Sequence, residues 1–149
     1  MSDEATFREL QRFRQRWLWL LLGGGFAFSL LLGPVSVIGF AVFAAVGLLL
    51  YNARLETEVR DDGVYVRFAP VHRSPRRISW EELVSAEATS YSPIGEFGGW
   101  GIRWRPGTVA YSVSGSEAVR IERTGNRDVI VGSQRAAEFA EAIDRARRR

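Results

Sequence analysis

A long stretch without any charge is the feature that most constrains what this chain can fold into. Residues 17–53 contain no Asp, Glu, Lys or Arg and consist mainly of Leu, Val, Phe, Ala and Gly. A single helix of that length would extend about 55 Å, far beyond the roughly 30 Å of a bilayer core. The stretch therefore predicts two helices that fold back on each other within a membrane.

A Gly-Pro pair near the middle of this stretch predicts where the chain turns. Gly is common just past the end of a helix and Pro in the first turn of the next, so Gly33-Pro34 indicates a stop and a restart. The predicted transmembrane hairpin occupies residues 17–53, with helices at about 17–32 and 35–51. Small residues at four-residue spacing favour close approach of the two helices. They are Gly25, Ser29 and Gly33 on the first helix, and Ala41 and Ala45 on the second.

The flanks of the hairpin predict its orientation. Aromatic residues at its two ends, Trp17, Trp19 and Tyr51, are typical of a membrane interface. By the positive-inside rule, the neighbouring arginines place that interface on the cytoplasmic side; they are Arg8, Arg12, Arg14, Arg16 and Arg54. We therefore predict a two-pass cell-membrane protein with both termini in the cytoplasm and a basic tail over residues 1–16. Because the turn at residues 32–36 is almost entirely apolar, a shallow re-entrant hairpin remains an alternative.

Residues 54–149 show the alternating pattern of a mostly β domain. Leu55, Thr57 and Val59 alternate with charged residues, and Asp61-Asp62-Gly63 is a turn signal before a second alternating segment. Further strands are predicted near residues 77–78, 83–91, 100–104, 109–113, 118–123 and 127–131. Ser133 can cap a C-terminal helix with a buried stripe, formed by Ala136, Phe139, Ala140 and Ile143.

About seven antiparallel strands closed by a C-terminal helix is the element order of the pleckstrin-homology superfold. The predicted fold class is therefore a membrane α-hairpin plus a mostly β (α+β) PH-like domain. The chain also resembles a family of small, uncharacterised prokaryotic membrane proteins with a two-helix anchor and a bacterial PH-like domain. The resemblance is carried by LETEV at residues 55–59, DGVYVRF at 62–68, YSP at 91–93, GGWGIR at 98–103 and GSQ at 132–134. It implies a fold and a membrane location but no biochemical role.

The residue types needed for catalysis or metal binding are scarce. The chain has no Cys and a single histidine, His72, so neither a thiolate nor a histidine metal site is expected. The glycines around Trp100 lack the lysine of a phosphate-binding loop. Core packing is the expected role of Trp100 and Trp104, with an exposed aromatic platform as the alternative. We predict a non-enzymatic protein without cofactors.

The densest internal basic cluster is the candidate binding site. Arg73, Arg76 and Arg77 lie on a predicted loop, where they could contact anionic lipid headgroups or an acidic partner. A net charge of +3 is too small to indicate nucleic acid. The leading hypothesis is a membrane-tethered PH-like interaction module that faces the cytoplasm and binds a protein partner or an anionic headgroup. The alternative is a structural subunit that forms homo-oligomers through the hairpin and the PH-like domain.

Overall fold

A computed structural model describes residues 5–32 and 36–149. In this part of the chain, nine strands and four helices follow one another. Their bounds are β1 Phe7–Arg12, α1 Arg16–Leu30, α2 Ser36–Asn52, β2 Arg54–Arg60, β3 Gly63–Ala69, β4 Arg76–Ser79, β5 Leu83–Ser90, α3 Pro93–Phe97, β6 Gly101–Arg105, β7 Thr108–Ser112, β8 Glu117–Arg123, β9 Asp128–Gly132 and α4 Ala136–Arg147.

The first sheet has four antiparallel strands in the order β1-β2-β3-β4. Strand β1 lies in the segment predicted as a basic tail, and its side chains alternate between the interior and the surface. Phe7, Glu9 and Gln11 point inward while Arg8 and Arg12 point outward. The pairing of Phe7 with Val59 gives β1 the hydrogen-bond partners that the sequence pattern does not reveal.

The second sheet has five strands in the order β5-β8-β9-β7-β6. Strands β7 and β9 pair in parallel, with Val109 opposite Val129, whereas the other neighbours are antiparallel. The edge strands are β1 and β4 in the first sheet and β5 and β6 in the second.

The core lies between the two sheets and is completed by α4. Phe139 and Ile143 on α4 are fully buried, and the ring of Phe139 stacks on Phe7 at 5.1 Å between centroids. The buried face of α4 includes Ala142 and Ala146 rather than the predicted Ala140, which is half-buried. Helix α4 thus joins β1 to the second sheet, because one face of it contacts both.

Helices α1 and α2 form a hairpin between β1 and β2 and pack through glycines. A Cβ atom added at Gly25 would lie 2.5 Å from the Phe43 ring, and one at Gly39 would lie 3.2 Å from the Cβ of Ser29. The close helix contact predicted from Gly25 and Ser29 is therefore present. Its partners on α2 are Gly39 and Phe43, since the predicted Ala41 and Ala45 are exposed. The predicted turn at Gly33-Pro34 lies outside the described residues.

The predicted transmembrane character is wrong. Among the described residues, no helix is both long and apolar enough to cross a membrane. Helix α1 has 15 residues and α2 has 17, which correspond to about 22 and 25 Å against the roughly 30 Å of a bilayer core. This finding contradicts the prediction of a multi-pass protein that crosses the cell membrane twice with both termini in the cytoplasm.

The predicted fold class is also wrong. Instead of about seven antiparallel strands closed by a C-terminal helix, the described chain forms a four-stranded and a five-stranded sheet, one of which contains a parallel pair. Alternation and turn signals identified the strands after residue 54 and the antiparallel pairs β2–β3 and β8–β9. They did not identify the arrangement of the strands in two sheets, because period-2 patterning reports only which face of a strand is buried. The polar residues Glu9 and Gln11 are buried in β1 while the apolar Leu10 is exposed, so the sequence pattern did not reveal this strand.

Candidate functional site

A basic cleft opens between β4, an edge strand of the first sheet, and β6 with the β8–β9 turn in the second sheet. It has a volume of about 220 Å³, and we call it the arginine cleft. Its walls carry four arginines, one asparagine and two aromatic residues, above a floor of buried aliphatic side chains. The lining residues are Val66, Arg76, Arg77, Ile78, Trp104, Val109, Tyr111, Arg123, Asn126, Arg127 and Val129.

One wall of the arginine cleft comes from β4. Arg76 lies opposite Val66 on β3, two residues before Ile78, so both side chains project from the same face of the strand. Ile78 is buried, whereas Arg76 lies at the open edge and is exposed. The alternation of β4 therefore places one guanidinium at the mouth of the cleft above an apolar floor.

The opposite wall comes from the turn between β8 and β9. The Nε of Arg123 donates a 2.8 Å hydrogen bond to the carbonyl of Arg127, and the amide of Thr124 donates one of 2.8 Å to the carbonyl of Glu82. These bonds hold the turn against the start of β5. Arg127 and Asn126 are thereby fixed at the rim of the cleft.

Two of the four arginines are neutralised by carboxylates. Both Nε and Nη2 of Arg77 donate to the carbonyl of Asp62, and Nε lies 3.4 Å from the Asp62 carboxylate. Nη1 of Arg123 lies 3.6 Å from the carboxylate of Glu82. Within residues 5–32 and 36–149, the guanidinium groups of Arg76 and Arg127 make no hydrogen bond or ion pair. The cleft therefore presents two uncompensated positive charges.

The Asp62 carboxylate that faces Arg77 is also bound by a tyrosine. The hydroxyl of Tyr65 donates a 2.6 Å hydrogen bond to Asp62. This bond, with a smaller contribution from the charge of Arg77, lowers the pKa of Asp62 below its ordinary value. Asp62 is thus ionised at neutral pH and holds Arg77 in place.

Trp104 forms an exposed aromatic wall of the cleft. Its side chain is 66% exposed, so the prediction that it packs in the core is wrong. The strand carrying Trp104 is an edge strand with one uncovered side, and a tryptophan there keeps its indole in solvent. An exposed indole beside arginines can stack on a planar or apolar part of a ligand.

His72 lies behind the cleft, against Tyr111. The two rings meet edge to face at 5.6 Å, and Nδ1 of His72 accepts a 3.3 Å hydrogen bond from the amide of Phe68. Burial, and secondarily the charge of Arg76, lower the pKa of His72 below its ordinary value of 6.5. His72 is therefore neutral at pH 7 and adds no charge to the cleft.

The sequence prediction found part of this site. Of the three predicted arginines, Arg76 and Arg77 line the cleft, whereas Arg73 lies in the loop before β4 and does not. Sequence reasoning missed Arg123 and Arg127, which lie about fifty residues further along the chain. Their signal was the turn Thr124-Gly125-Asn126 with an arginine on each side.

The cleft lies toward the end of the first sheet opposite the hairpin. The hairpin joins β1 to the start of β2, whereas Arg77 contacts Asp62 in the turn at the other end of β2. The indole of Trp80 donates a hydrogen bond to the carbonyl of Asp61 in that turn. Trp80 is two residues from Glu82, whose carbonyl accepts a hydrogen bond from the β8–β9 turn. At the other end, the Trp17 ring of α1 lies 6.1 Å from that of Trp100.

The chemistry available in the cleft is anion binding. Its described lining contains no carboxylate, histidine or serine, and arginine stays protonated at all ordinary pH values. Guanidinium groups bind carboxylate or phosphate through charge-assisted hydrogen bonds, often two at a time. Among the described residues, no three His, Asp or Glu side chains are grouped so that they could hold a metal ion.

Comparison with known proteins returns no relative for this chain: no protein-family model, no curated protein and no solved structure matches it. The resemblance to prokaryotic membrane proteins with a two-helix anchor therefore stays a prediction.

Proposed function

We propose that this chain is a non-enzymatic interaction module that is attached to a lipid bilayer by its apolar hairpin and binds an anionic segment of a partner protein in the arginine cleft. The observation that carries the proposal is the pair Arg76 and Arg127. Both charges face a cleft whose described lining has no carboxylate to neutralise them. A carboxylate or phosphate group is the chemical complement of these two positive charges.

The position of the cleft favours a protein partner over a headgroup of the bilayer that holds the hairpin. The β8–β9 turn, which carries Arg127, lies at the end of the domain away from α1 and α2. A ligand that approaches from the aqueous side reaches it directly. Exposed Trp104 adds an apolar contact that suits a peptide with mixed acidic and apolar residues.

The hairpin supports attachment to a bilayer because its exposed surface is apolar on more than one side. Large exposed side chains occur at adjacent positions, as at Leu20 and Leu21 on α1 and at Val37 and Ile38 on α2. A stripe that fits a protein groove would recur every three to four residues instead. Hydrocarbon covers a helix from all sides, so a bilayer is the better complement, entered from one face without crossing.

Peptide binding by the full chain in a mild non-ionic detergent tests the role of the cleft. The probe is a fluorescein-labelled hexaglutamate peptide, and its anisotropy reports the dissociation constant. Replacing Arg76 and Arg127 with Gln removes two charge-assisted hydrogen-bond donors, each worth about 1.5–3 kcal/mol, so binding should weaken at least about tenfold. Binding by the parent should also weaken as salt screens the charges.

A matched control removes the same charge elsewhere. Arg73 and Arg148 are exposed and do not line the cleft, so the Arg73→Gln/Arg148→Gln variant should bind the peptide within about threefold of the parent, with only the small loss expected from net charge. Equal weakening in both double variants would show that net charge, not the cleft, attracts the peptide, and the proposed role of the cleft would be wrong.

Flotation with vesicles of neutral phosphatidylcholine tests the attachment separately. The parent should float with the vesicles, and the Leu20→Glu/Ile38→Glu variant should remain in the unbound fraction. Val84 and Ile94 are similarly exposed outside the hairpin, so Val84→Glu/Ile94→Glu should float like the parent. Recovery of the parent chain in the unbound fraction would refute attachment by the hairpin.

A further inference from the structure

A second cavity lies where the hairpin meets the first sheet. It has a volume of about 570 Å³ and is lined by Arg12, Phe13, Arg14, Trp19 and Tyr51. We call it the collar cavity. Its volume lies within the range of about 300–1,000 Å³ typical of small-molecule sites.

The collar cavity combines positive charge with aromatic surface. Two of its five lining residues are arginines and three are aromatic. In the described part of the chain, the guanidinium groups of Arg12 and Arg14 make no hydrogen bond or ion pair. No Asp or Glu occurs in the sequence between Glu9 and Glu56, so nearby charges along the chain do not neutralise them. The cavity therefore suits an anionic group beside an apolar one.

The arginines and the apolar surface around the collar cavity lie at different positions. Phe13 packs against the domain core, with its ring 6.5 Å from that of Phe68, and so fixes the position of the arginines on either side of it. Trp19 lies on α1 and Tyr51 near the end of α2. Beyond them the hairpin carries only uncharged residues. A ligand with an anionic head and an apolar chain would meet charge at the cavity and apolar helices beyond it.

We infer that the collar cavity binds one anionic amphiphile, with its phosphate or carboxylate head on Arg12 and Arg14 and its apolar chain against Trp19 and Tyr51. The inference rests on the proposed attachment of the hairpin to a bilayer, where such molecules are present. It concerns a different site from the arginine cleft, and it adds a specific ligand to an attachment that otherwise depends on apolar surface alone.

Native mass spectrometry of the full chain in dodecyl maltoside tests this inference. The probes are dihexanoyl phosphatidylglycerol for a phosphate head and decanoate for a carboxylate head. Dihexanoyl phosphatidylcholine and glycerol 1-phosphate serve as zwitterionic and chain-free controls. We expect one bound molecule of an anionic amphiphile, with at least tenfold tighter binding than either control. The probe that binds more tightly identifies the head group.

Charge-matched variants locate the site. Arg12→Gln/Arg14→Gln should weaken binding of the anionic amphiphile at least tenfold. Arg16→Gln/Arg73→Gln removes two charges from arginines that do not line the cavity, and it should change binding less than threefold. Trp19→Leu should weaken binding of the amphiphile but leave binding of glycerol 1-phosphate unchanged. Equal binding by parent and Arg12→Gln/Arg14→Gln, or equal binding of the zwitterionic lipid, would overturn the inference.

Failure here is distinguishable from failure of the proposed function. The amphiphile is titrated in detergent and does not require vesicles or the acidic peptide. In one outcome, the chain floats with neutral vesicles and binds hexaglutamate, yet shows no adduct with an anionic amphiphile. That result would support the proposed function and refute only the collar site.

Discussion

The carboxylate of Glu9 accepts a 2.5 Å hydrogen bond from the hydroxyl of Ser133, although 124 residues separate them. Its second oxygen accepts a 3.0 Å hydrogen bond from the amide of Gln134. The side chain of Arg135, the residue that caps α4, makes no capping hydrogen bond; instead, the hydroxyl of Ser133 accepts a 3.0 Å hydrogen bond from the backbone amide of Arg135. The Glu9–Ser133 contact ties β1 to α4 and buries Glu9, which is 8% exposed.

Glu9→Ala should lower the free energy of unfolding by about 1–3 kcal/mol, because Ser133 and the amide of Gln134 would lose a buried acceptor. Glu9→Gln keeps a hydrogen-bond acceptor and should cost less. Urea unfolding in detergent, followed by circular dichroism, measures both. Exposed Glu117→Ala is the control and should change stability by no more than about 0.5 kcal/mol. A Glu9→Ala variant as stable as this control would show that the Glu9–Ser133 contact contributes nothing.

Gly25→Leu should force α1 and α2 apart, because any side chain at Gly25 meets the ring of Phe43. Nitroxide labels at Cys residues introduced for Leu20 and Leu48 report the separation by electron paramagnetic resonance. The chain has no other Cys, so only those sites react. We expect a longer and broader distance distribution.

Gly24→Leu is the matched control for the hairpin, since nothing lies within 4 Å of a Cβ atom there. It should leave the label distance unchanged. Adding Phe43→Ala to Gly25→Leu should restore the parent distance by making room for the leucine. A Gly25→Leu distance equal to that of Gly24→Leu would contradict the observed packing of α1 on α2.

Stability should depend on pH through His72. Its pKa is lowered in the folded state by burial and by Arg76, so the unfolded chain binds the proton more readily. The free energy of unfolding should be highest above the ordinary pKa of 6.5 and fall as the pH drops from 6.5 toward the folded-state pKa. Protonation would also displace the hydrogen bond from the Phe68 amide to Nδ1.

Urea unfolding at pH 7.5 and 5.5 checks this prediction. The difference between the two pH values should be smaller in His72→Gln than in the parent. Because His72 is the only histidine, its pKa can be read directly from one imidazole signal by NMR, and Arg76→Gln should raise it. A folded-state pKa at or above 6.5 would contradict the predicted direction.

Part of the arginine cleft was predictable because it is local. Arg76 and Arg77 adjoin in sequence and lie on one short strand, so a cluster of basic residues identifies them. Arg127 joins Arg76 only because the β8–β9 turn lies beside β4 in space. No spacing within the sequence records that proximity, since it depends on the order of strands in two separate sheets.

The elements whose residues contact one another locally were determined by the sequence alone. Strands β2 and β3 follow from alternation around the Asp61-Asp62-Gly63 turn, and the two apolar helices follow from the charge-free stretch. Such patterns are local because a strand or helix repeats its buried side within a few residues.

Tertiary structure alone decided β1, the parallel pairing of β7 with β9, and the two basic cavities. In β1, Arg8 and Glu9 suggest a solvated tail until Val59 supplies backbone partners and Ser133 satisfies the Glu9 carboxylate. Charged residues reveal a buried role only when their partners are known. Those partners are more than fifty residues away, and only folding brings them within hydrogen-bond distance.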